Sequence, residues 1–423
     1  MAHKILSLFA TALLAAPSAL SAGELSAMQD LGKALFFDAN LSVNRNMSCA
    51  SCHDPAYGFG SPVEGVHGGG SVVEGSVSGR FGNRKPPTAA YAANAPVFHH
   101  TIEDGSVLFV GGAFVDGRAT GHVLGNVAAD QAMGPFTNPA EMALPHAACV
   151  VQRACEAGYA PAIGKLWGGE ICAIDFPADL ASNCEAVDAD ITIEGEVLSG
   201  AIDEAFFAIA RSIASYETST EVGRFSSRFD QWQAGGKPLS DQELAGYKLF
   251  TGKALCSECH VLESGPHNEP ALFTDYTYDN LGVPRNPVLP FYQVAGADWV
   301  DPGLAGFLAT DPVYDILADA VMGKQKVPTL RNVDARPAPD AAKAYMHNGY
   351  FKTLEGVVRF YNTRDVWPAC GSDLVSEADA LAAQCWPAAE VPETVNSDEL
   401  GNLKLTDQDE ANLVAFLKTL TDE

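Results

Sequence analysis

Positive charge is scarce in this chain of 423 residues: 26 Lys and Arg stand against 53 Asp and Glu, a net charge of −27 at neutral pH. Such a surface repels phosphate backbones, which excludes a nucleic-acid partner, and it attracts cationic proteins instead. Beyond the N-terminal segment there is no uninterrupted apolar run of about eighteen residues, so no membrane-spanning helix is expected. The 39 Gly and 25 Pro follow no fixed period, which excludes a collagen-like fibre. General disorder is excluded because 47% of the residues are apolar and 9% aromatic, enough to build cores. At roughly 150 residues per domain, the length suits two or three domains. Strand signals are few, and the expected class is mainly α.

The N-terminus reads as an export signal. Lys4 precedes an apolar stretch from Ile5 to Ala16, too short to span a bilayer, and small residues follow at Ala19, Ser21 and Ala22. Residues 1–22 are therefore expected to be removed, and the mature protein to be exported to an oxidising compartment. An uncleaved anchor is the alternative, but no stop-transfer pattern follows.

Of the ten cysteines, four fall in two identical frames: Cys49-Ala50-Ser51-Cys52-His53 and Cys256-Ser257-Glu258-Cys259-His260. C-x-x-C-H is the attachment signature of haem c: each thiol adds to a haem vinyl group, and the adjacent imidazole becomes an axial ligand of the iron. A zinc site would need its ligands to converge, yet the frames lie about 200 residues apart and each carries its own His. A redox C-x-x-C pair gives no reason for the histidine. Two covalent haems c are expected, held by Cys49, Cys52, Cys256 and Cys259, with His53 and His260 as ligands.

The frames belong to a repeat. Gly32-Lys33-Ala34-Leu35-Phe36 precedes the first and Gly246-Tyr247-Lys248-Leu249-Phe250 the second, both G-x-x-L-F in a helical pattern that suits an apolar edge laid on a porphyrin. Between them, Ala201 to Tyr216 has helical periodicity. Arg224 to Gly236 reads as a polar connector, which puts the N-terminal haem domain at residues 23–223 and the C-terminal one at 224–423. Thr406 and Asp409 form a weak capping box before a stripe of Leu413, Phe416, Leu417 and Leu420. The fold expectation is two cytochrome c-like haem domains, the second with a terminal helix. Cys149, Cys155, Cys172, Cys184, Cys370 and Cys385 remain. Three disulfides suit an exported protein, with 15 pairings open, and Cys370 and Cys385 are expected to pair because they bracket one short insertion. Buried free thiols are the alternative.

The run Leu31 to Asp38, then Met47 to Pro55, resembles the first haem site of the bacterial di-haem cytochrome c peroxidases, the family that includes MauG. Further matches are Pro86-Pro87-Thr88, Asp116-Gly117-Arg118-Ala119, Gly134-Pro135 through Glu141-Met142, Val327 to Asn332, and Tyr345 to Gly349. The resemblance implies that hydrogen peroxide reacts at the His53 haem and that electrons enter through the His260 haem. Glu141 takes the family's acid–base position, which the chemistry needs because a proton must pass from one peroxide oxygen to the other before water can leave. As bare sequence, a Glu after Pro-Ala also suits the first turn of a helix. Tyr361, late in a helix, stands where the peroxidases fed by small cytochromes have a Met ligand and the MauG branch a Tyr. A phenolate favours oxidised iron where a thioether favours reduced. Met322 and Met346 are spare thioethers away from the family position. Arg331 takes the place of a haem-propionate partner.

Departures from the family are equally specific. Val115 replaces the tryptophan expected between the haems, leaving Phe114 as a substitute ring. His67 is the sole candidate for a displaceable ligand of the first haem, but lies far from Pro87. Lys85 stands where an Asn side chain would bind calcium, which argues against that ion, although backbone carbonyls near Ala342 and Ala344 remain. His67-Gly68-Gly69-Gly70 resembles an esterase motif, but no G-x-S-x-G accompanies it. His99, His100, His122, His146 and His267 match no functional position. The expectation is a periplasmic di-haem peroxidase reducing hydrogen peroxide with electrons from a small cytochrome or cupredoxin. The alternatives are a MauG-like enzyme that oxidises residues of a partner protein, and a non-catalytic electron carrier.

Overall fold

The computed structural model describes residues 24–62, 71–103, 105–265, 269–296 and 298–423. The export signal, His67 and His267 lie outside the described residues. Within them, the fold is mainly helical, and seven helices reach ten residues or more: α1 (Ala27–Phe36), α2 (Val127–Thr137), α3 (Ala147–Glu156), α4 (Glu196–Glu217), α5 (Asp241–Phe250), α6 (Leu354–Thr363) and α7 (Asp407–Lys418). Two antiparallel pairs supply the sheet: β1 (His99–Glu103) with β2 (Ser106–Val110), and β3 (Tyr278–Asp279) with β4 (Gln325–Lys326). No helix among the described residues is long and apolar enough to cross a membrane.

Local chemistry explains the helix starts. Ser26, Ser240 and Thr406 cap α1, α5 and α7, each accepting from the backbone N–H of the third helical residue, whose side chain returns the bond. Such caps satisfy amides that have no partner within the helix. Two large apolar clusters follow. One gathers α1 to α4 around Leu35, Phe36, Phe136 and Tyr216; the other gathers α5, α6 and α7 around Phe250, Phe273, Phe360 and Phe416.

The repeated G-x-x-L-F is a device for helix crossing. A Cβ on Gly32 would sit 1.9 Å from the carbonyl oxygen of Ser212 and 2.9 Å from Tyr216 Cβ. On Gly246 it would sit 1.9 Å from the carbonyl oxygen of Asn412 and 2.8 Å from Phe416 Cβ. Only glycine allows α1 onto α4, and α5 onto α7, this closely. The expected contact of the Leu-Phe edge with a porphyrin needs correction: Leu35 and Phe36 lie in the first core beside Phe59 and Tyr216, and of the four residues only Phe250 lines the cavity described below. Burial in the core and the glycine contact account for the pattern.

The connector also differs from expectation. Arg228–Gln233 is helical, with a Ser227–Asp230 capping box, and its Phe229 enters the second core against Phe273 and Phe416. Phe229, with Trp232 packed beside it against Tyr247, anchors a segment that its neighbours made look polar. The disulfides are Cys149–Cys184, Cys155–Cys172 and Cys370–Cys385, leaving the four cysteines of the frames free.

Candidate haem cavity and active site

Both frames fold as a short turn that ends at the histidine. Cys49–Cys52 is one helical turn and Cys256–Glu258 a tighter one, and in each the His N–H donates to the carbonyl of the first Cys at 2.9 Å. The likeness continues well past the cysteines. Phe59 and Phe273 both have φ in the left-handed region, at 58° and 54°. Thr88 and Thr329 donate their hydroxyls to the carbonyl preceding each phenylalanine, Gly58 O at 2.7 Å and Leu272 O at 2.6 Å. Three residues on, Tyr91 and Asn332 again have positive φ, and both donate to the Asp422 carboxylate. The duplicated unit therefore extends to the Pro-Thr segments, a signal that Pro86-Pro87-Thr88 and Val327-Pro328-Thr329 carried in the sequence.

The two frames open on one apolar cavity of about 610 Å³, lined by Cys49, Cys52, His53, Cys256, Cys259 and His260 among others. Its walls suit a haem in each lobe. Burial pushes the thiols of Cys49, Cys256 and Cys259 up to about 12, and that of Cys52 higher still, so they are protonated and unlike the activated thiols of redox pairs. Burial also lowers His53 and His260 to about 4, leaving the neutral imidazoles that an iron takes as ligands. His260 Nδ1 lies 2.8 Å from Phe273 O; donating there frees Nε2 for a metal. His53 Nδ1 is buried with no hydrogen-bond partner among the described residues, though the Phe59 and Pro87 carbonyls are near. Among the described residues no three His, Cys, Asp or Glu converge on a metal-ion site.

Glu141 reaches the cavity by a fold-back of the chain after α2. The Met142 and Leu144 amides donate to the carbonyls of Pro135 and Phe136, occupying the end of the helix, and the Glu141 carbonyl is held by the Ser76 amide at 2.7 Å. The side chain accepts from Asn138 Nδ2 at 2.9 Å and lines the cavity. Burial raises its pKa, opposed by the Arg118 guanidinium and the Asn138 amide. It sits in a turn, not in the first turn of a helix. A second carboxyl, not singled out in the sequence, shares this lobe: Glu217, at the end of α4, makes no hydrogen bond among the described residues, and burial pushes it up to about 8. In the other half the corresponding place on α7 holds Leu417, which also lines the cavity.

Tyr361, on α6, lines the second lobe with Met346. Its hydroxyl has no hydrogen-bond partner among the described residues. Burial, then the thiols of Cys256 and Cys259, raise its pKa. Met322 packs with Phe98 and Tyr278 in a separate cluster away from the cavity. Arg331 lines the cavity but is fully buried and ion-paired to Asp230, with Nη1 and Nη2 each 2.9 Å from a carboxylate oxygen and Nε donating to Ala271 O. Val115 and Phe114 both line the cavity, and the Arg118 guanidinium stacks 3.7 Å over the Phe114 ring. Sequence reasoning also missed His347, which lines the cavity and is lowered to about 4 by burial. The matching segment 345–349 was its only sign.

The comparisons agree with this architecture. The family model described as "Di-haem cytochrome c peroxidase" matches residues 26–238. Methylamine utilization protein MauG of Paracoccus denitrificans is 33% identical over 398 residues, covering 94% of this chain and 89% of that protein. A cytochrome-c peroxidase of Denitromonas iodatirespirans is 29% identical over 79% of this chain and 73% of its own. Among solved structures, the diheme peroxidase BthA of Burkholderia thailandensis superposes with a TM-score of 0.70 at 29% identity, covering 96% of this chain and 89% of that one. The chain belongs to the di-haem cytochrome c peroxidase family. It is an oxidoreductase of a family whose members carry two haems c, and its relatives are named both peroxidase and MauG.

Proposed function

We propose that the protein reduces hydrogen peroxide in the periplasm, with residues 23–223 providing the peroxide pocket and residues 224–423 the entry for electrons. The observation that carries this reading is the difference in the acids: the lobe of His53 holds the carboxyl of Glu141, raised by burial, while the lobe of His260 faces the phenol of Tyr361 and its acids, Asp279 and Glu399, both hold the Asn396 amide. His53 and His260 would ligate the irons, and Cys49, Cys52, Cys256 and Cys259 would hold the haems covalently. When bound, the haems supply one-electron redox chemistry at iron. Glu141 takes a proton from one peroxide oxygen and returns it to the other, and burial keeps its affinity for the proton high enough for both steps. Asn138 holds one carboxylate oxygen, which orients the group. Arg331, locked to Asp230, keeps its position beside the cavity as a neighbour of a haem carboxylate.

A chain with twice as many acids as bases suits a cationic donor such as a small cytochrome or cupredoxin. Steady-state peroxide turnover with a panel of reduced cytochromes and cupredoxins, beside small dyes and quinols, tests this: saturable turnover with a cationic cytochrome or cupredoxin is the expected result, and no peroxide consumption with any donor would refute it. A second reading, oxidation of residues on a partner protein, is favoured by Tyr361 and by the relatives named MauG. It predicts peroxide-dependent oxidation of a protein partner without turnover of any cytochrome.

A further inference from the structure

Among the described residues, six lysines and arginines line the cavity, and they divide by type. Arg84 pairs with Asp116 and Asp301, Arg118 with Asp116, and Arg331 with Asp230. The three lysines have no ion pair among the described residues. Lys85 Nζ donates to Pro86 O at 3.2 Å, Lys343 Nζ to Ala335 O at 2.6 Å, and Lys326 Nζ to Gly112 O at 2.5 Å. Lys326 still feels the favourable charge of Asp116. Lys85 and Lys343 repel each other, and the carboxylate that acts on Lys343, Asp334, is itself bonded to Arg336. Burial and this repulsion push Lys343 down to about 7, and burial together with Lys352 pushes Lys85 to about 8.

Two uncompensated ammonium groups inside a strongly acidic protein are costly unless an anion joins them. They face a cavity that, on the function proposed above, is filled by haem, whose periphery carries carboxylates. Lys85 lies two residues before Pro87, whose carbonyl is near the His53 ring, and the Lys85 amide donates to His347 O at 2.6 Å, joining this segment to the 343–347 segment. We propose that Lys85 and Lys343 form a cationic clamp for the carboxylates of the haem attached at Cys49 and Cys52, spanning the two halves of the chain and setting that haem's reduction potential.

The test is spectroelectrochemistry of the purified holoprotein and of Lys85→Met, Lys343→Met and Lys85→Arg, with the haem content of each counted. Removing a cation beside the haem carboxylates favours ferric iron. Each Met variant should keep two haems but shift the reduction equilibrium of the His53 haem towards the oxidised form by about tenfold, or 59 mV for one electron. Lys85→Arg should stay near the parent, and the His260 haem should move less. If Lys85→Met does not mature, Lys343→Met carries the same expectation. Two haems with unchanged potentials in the Met variants would overturn the clamp while leaving the haem assignment intact; fewer than two haems in the parent would overturn the assignment itself. A parent potential that follows phosphate concentration would place a diffusible anion at the lysines and likewise overturn the proposal.

Discussion

The two halves of this molecule share a scaffold and differ in what faces the cavity. Each crosses a glycine-bearing helix with a second one, α1 over α4 and α5 over α7. Each follows its C-x-x-C-H turn with a left-handed phenylalanine and a threonine bonded to the carbonyl before it. Ile213 and Leu413 occupy matching wall positions. One turn on, Glu217 in the first half faces Leu417 in the second, and only the first half adds Glu141. The scaffold repeats because one packing problem, seating a planar group against a histidine, is solved twice. The walls diverge in chemistry: one lobe presents the carboxyls of Glu141 and Glu217, the other the phenol of Tyr361. That difference can be broken from either side.

The largest effect is expected at Glu141. Glu141→Gln keeps the size of the side chain and the link to Asn138, but cannot carry a proton. Peroxide turnover should fall by about 10² to 10⁴-fold, or about 3 to 5 kcal/mol of barrier, with both haems attached and the resting spectra nearly unchanged. Turnover within about twofold of the parent would remove Glu141 from the chemistry.

Glu217 sharpens the comparison through pH. The folded carboxyl keeps its proton up to about pH 8, whereas an exposed one loses it near 4.5. Between those values the unfolded state binds fewer protons, so this residue makes stability fall as pH rises, and its effect levels off above about 8. Glu217→Gln removes the penalty. Thermal unfolding should show a gain of roughly 3 kcal/mol at pH 7 that vanishes near pH 4. A gain independent of pH would mean that the carboxyl titrates normally.

The shared scaffold predicts matched losses. Gly32→Ala and Gly246→Ala should each cost about 1 to 3 kcal/mol, because either Cβ meets a backbone carbonyl that cannot swing aside. Chemical denaturation that finds one variant neutral and the other damaging would show that the crossings are not equivalent. The smallest change is expected at Tyr361. If the Tyr361 phenolate ligates the His260 iron, Tyr361→Phe should alter the spectrum of that haem and raise its potential, while the His53 haem keeps its spectrum. No change in either would leave Tyr361 as packing, and the MauG-like reading would lose its main support.

What could be read in the sequence was local in the chain. The two C-x-x-C-H frames, the α4 periodicity from Ala201 to Tyr216, the Thr406 cap and the neighbouring Cys370–Cys385 bridge need only residues a few positions apart, and spacing encodes them directly. The repeat of G-x-x-L-F was visible too, but not its purpose: a missing side chain acquires meaning only from the Ser212 or Asn412 carbonyl that approaches it, 180 or 166 residues away. The Phe229 anchor in the connector was hidden for the same reason.

By itself, then, the sequence determined the class: a mainly helical, acidic chain with two haem-attachment frames, to which its first residues and the resemblance add an export signal and one acid–base position as expectations. Tertiary structure alone decided which groups share the cavity. It put Glu217 and Glu141 in the wall of one cavity with His347, locked Arg331 to Asp230, and left Lys85 and Lys343 without an ion pair among the described residues. Those are questions of burial and of distance between remote segments, and the charge of a lysine or a glutamate reads the same in a sequence whether water or a dry cavity surrounds it.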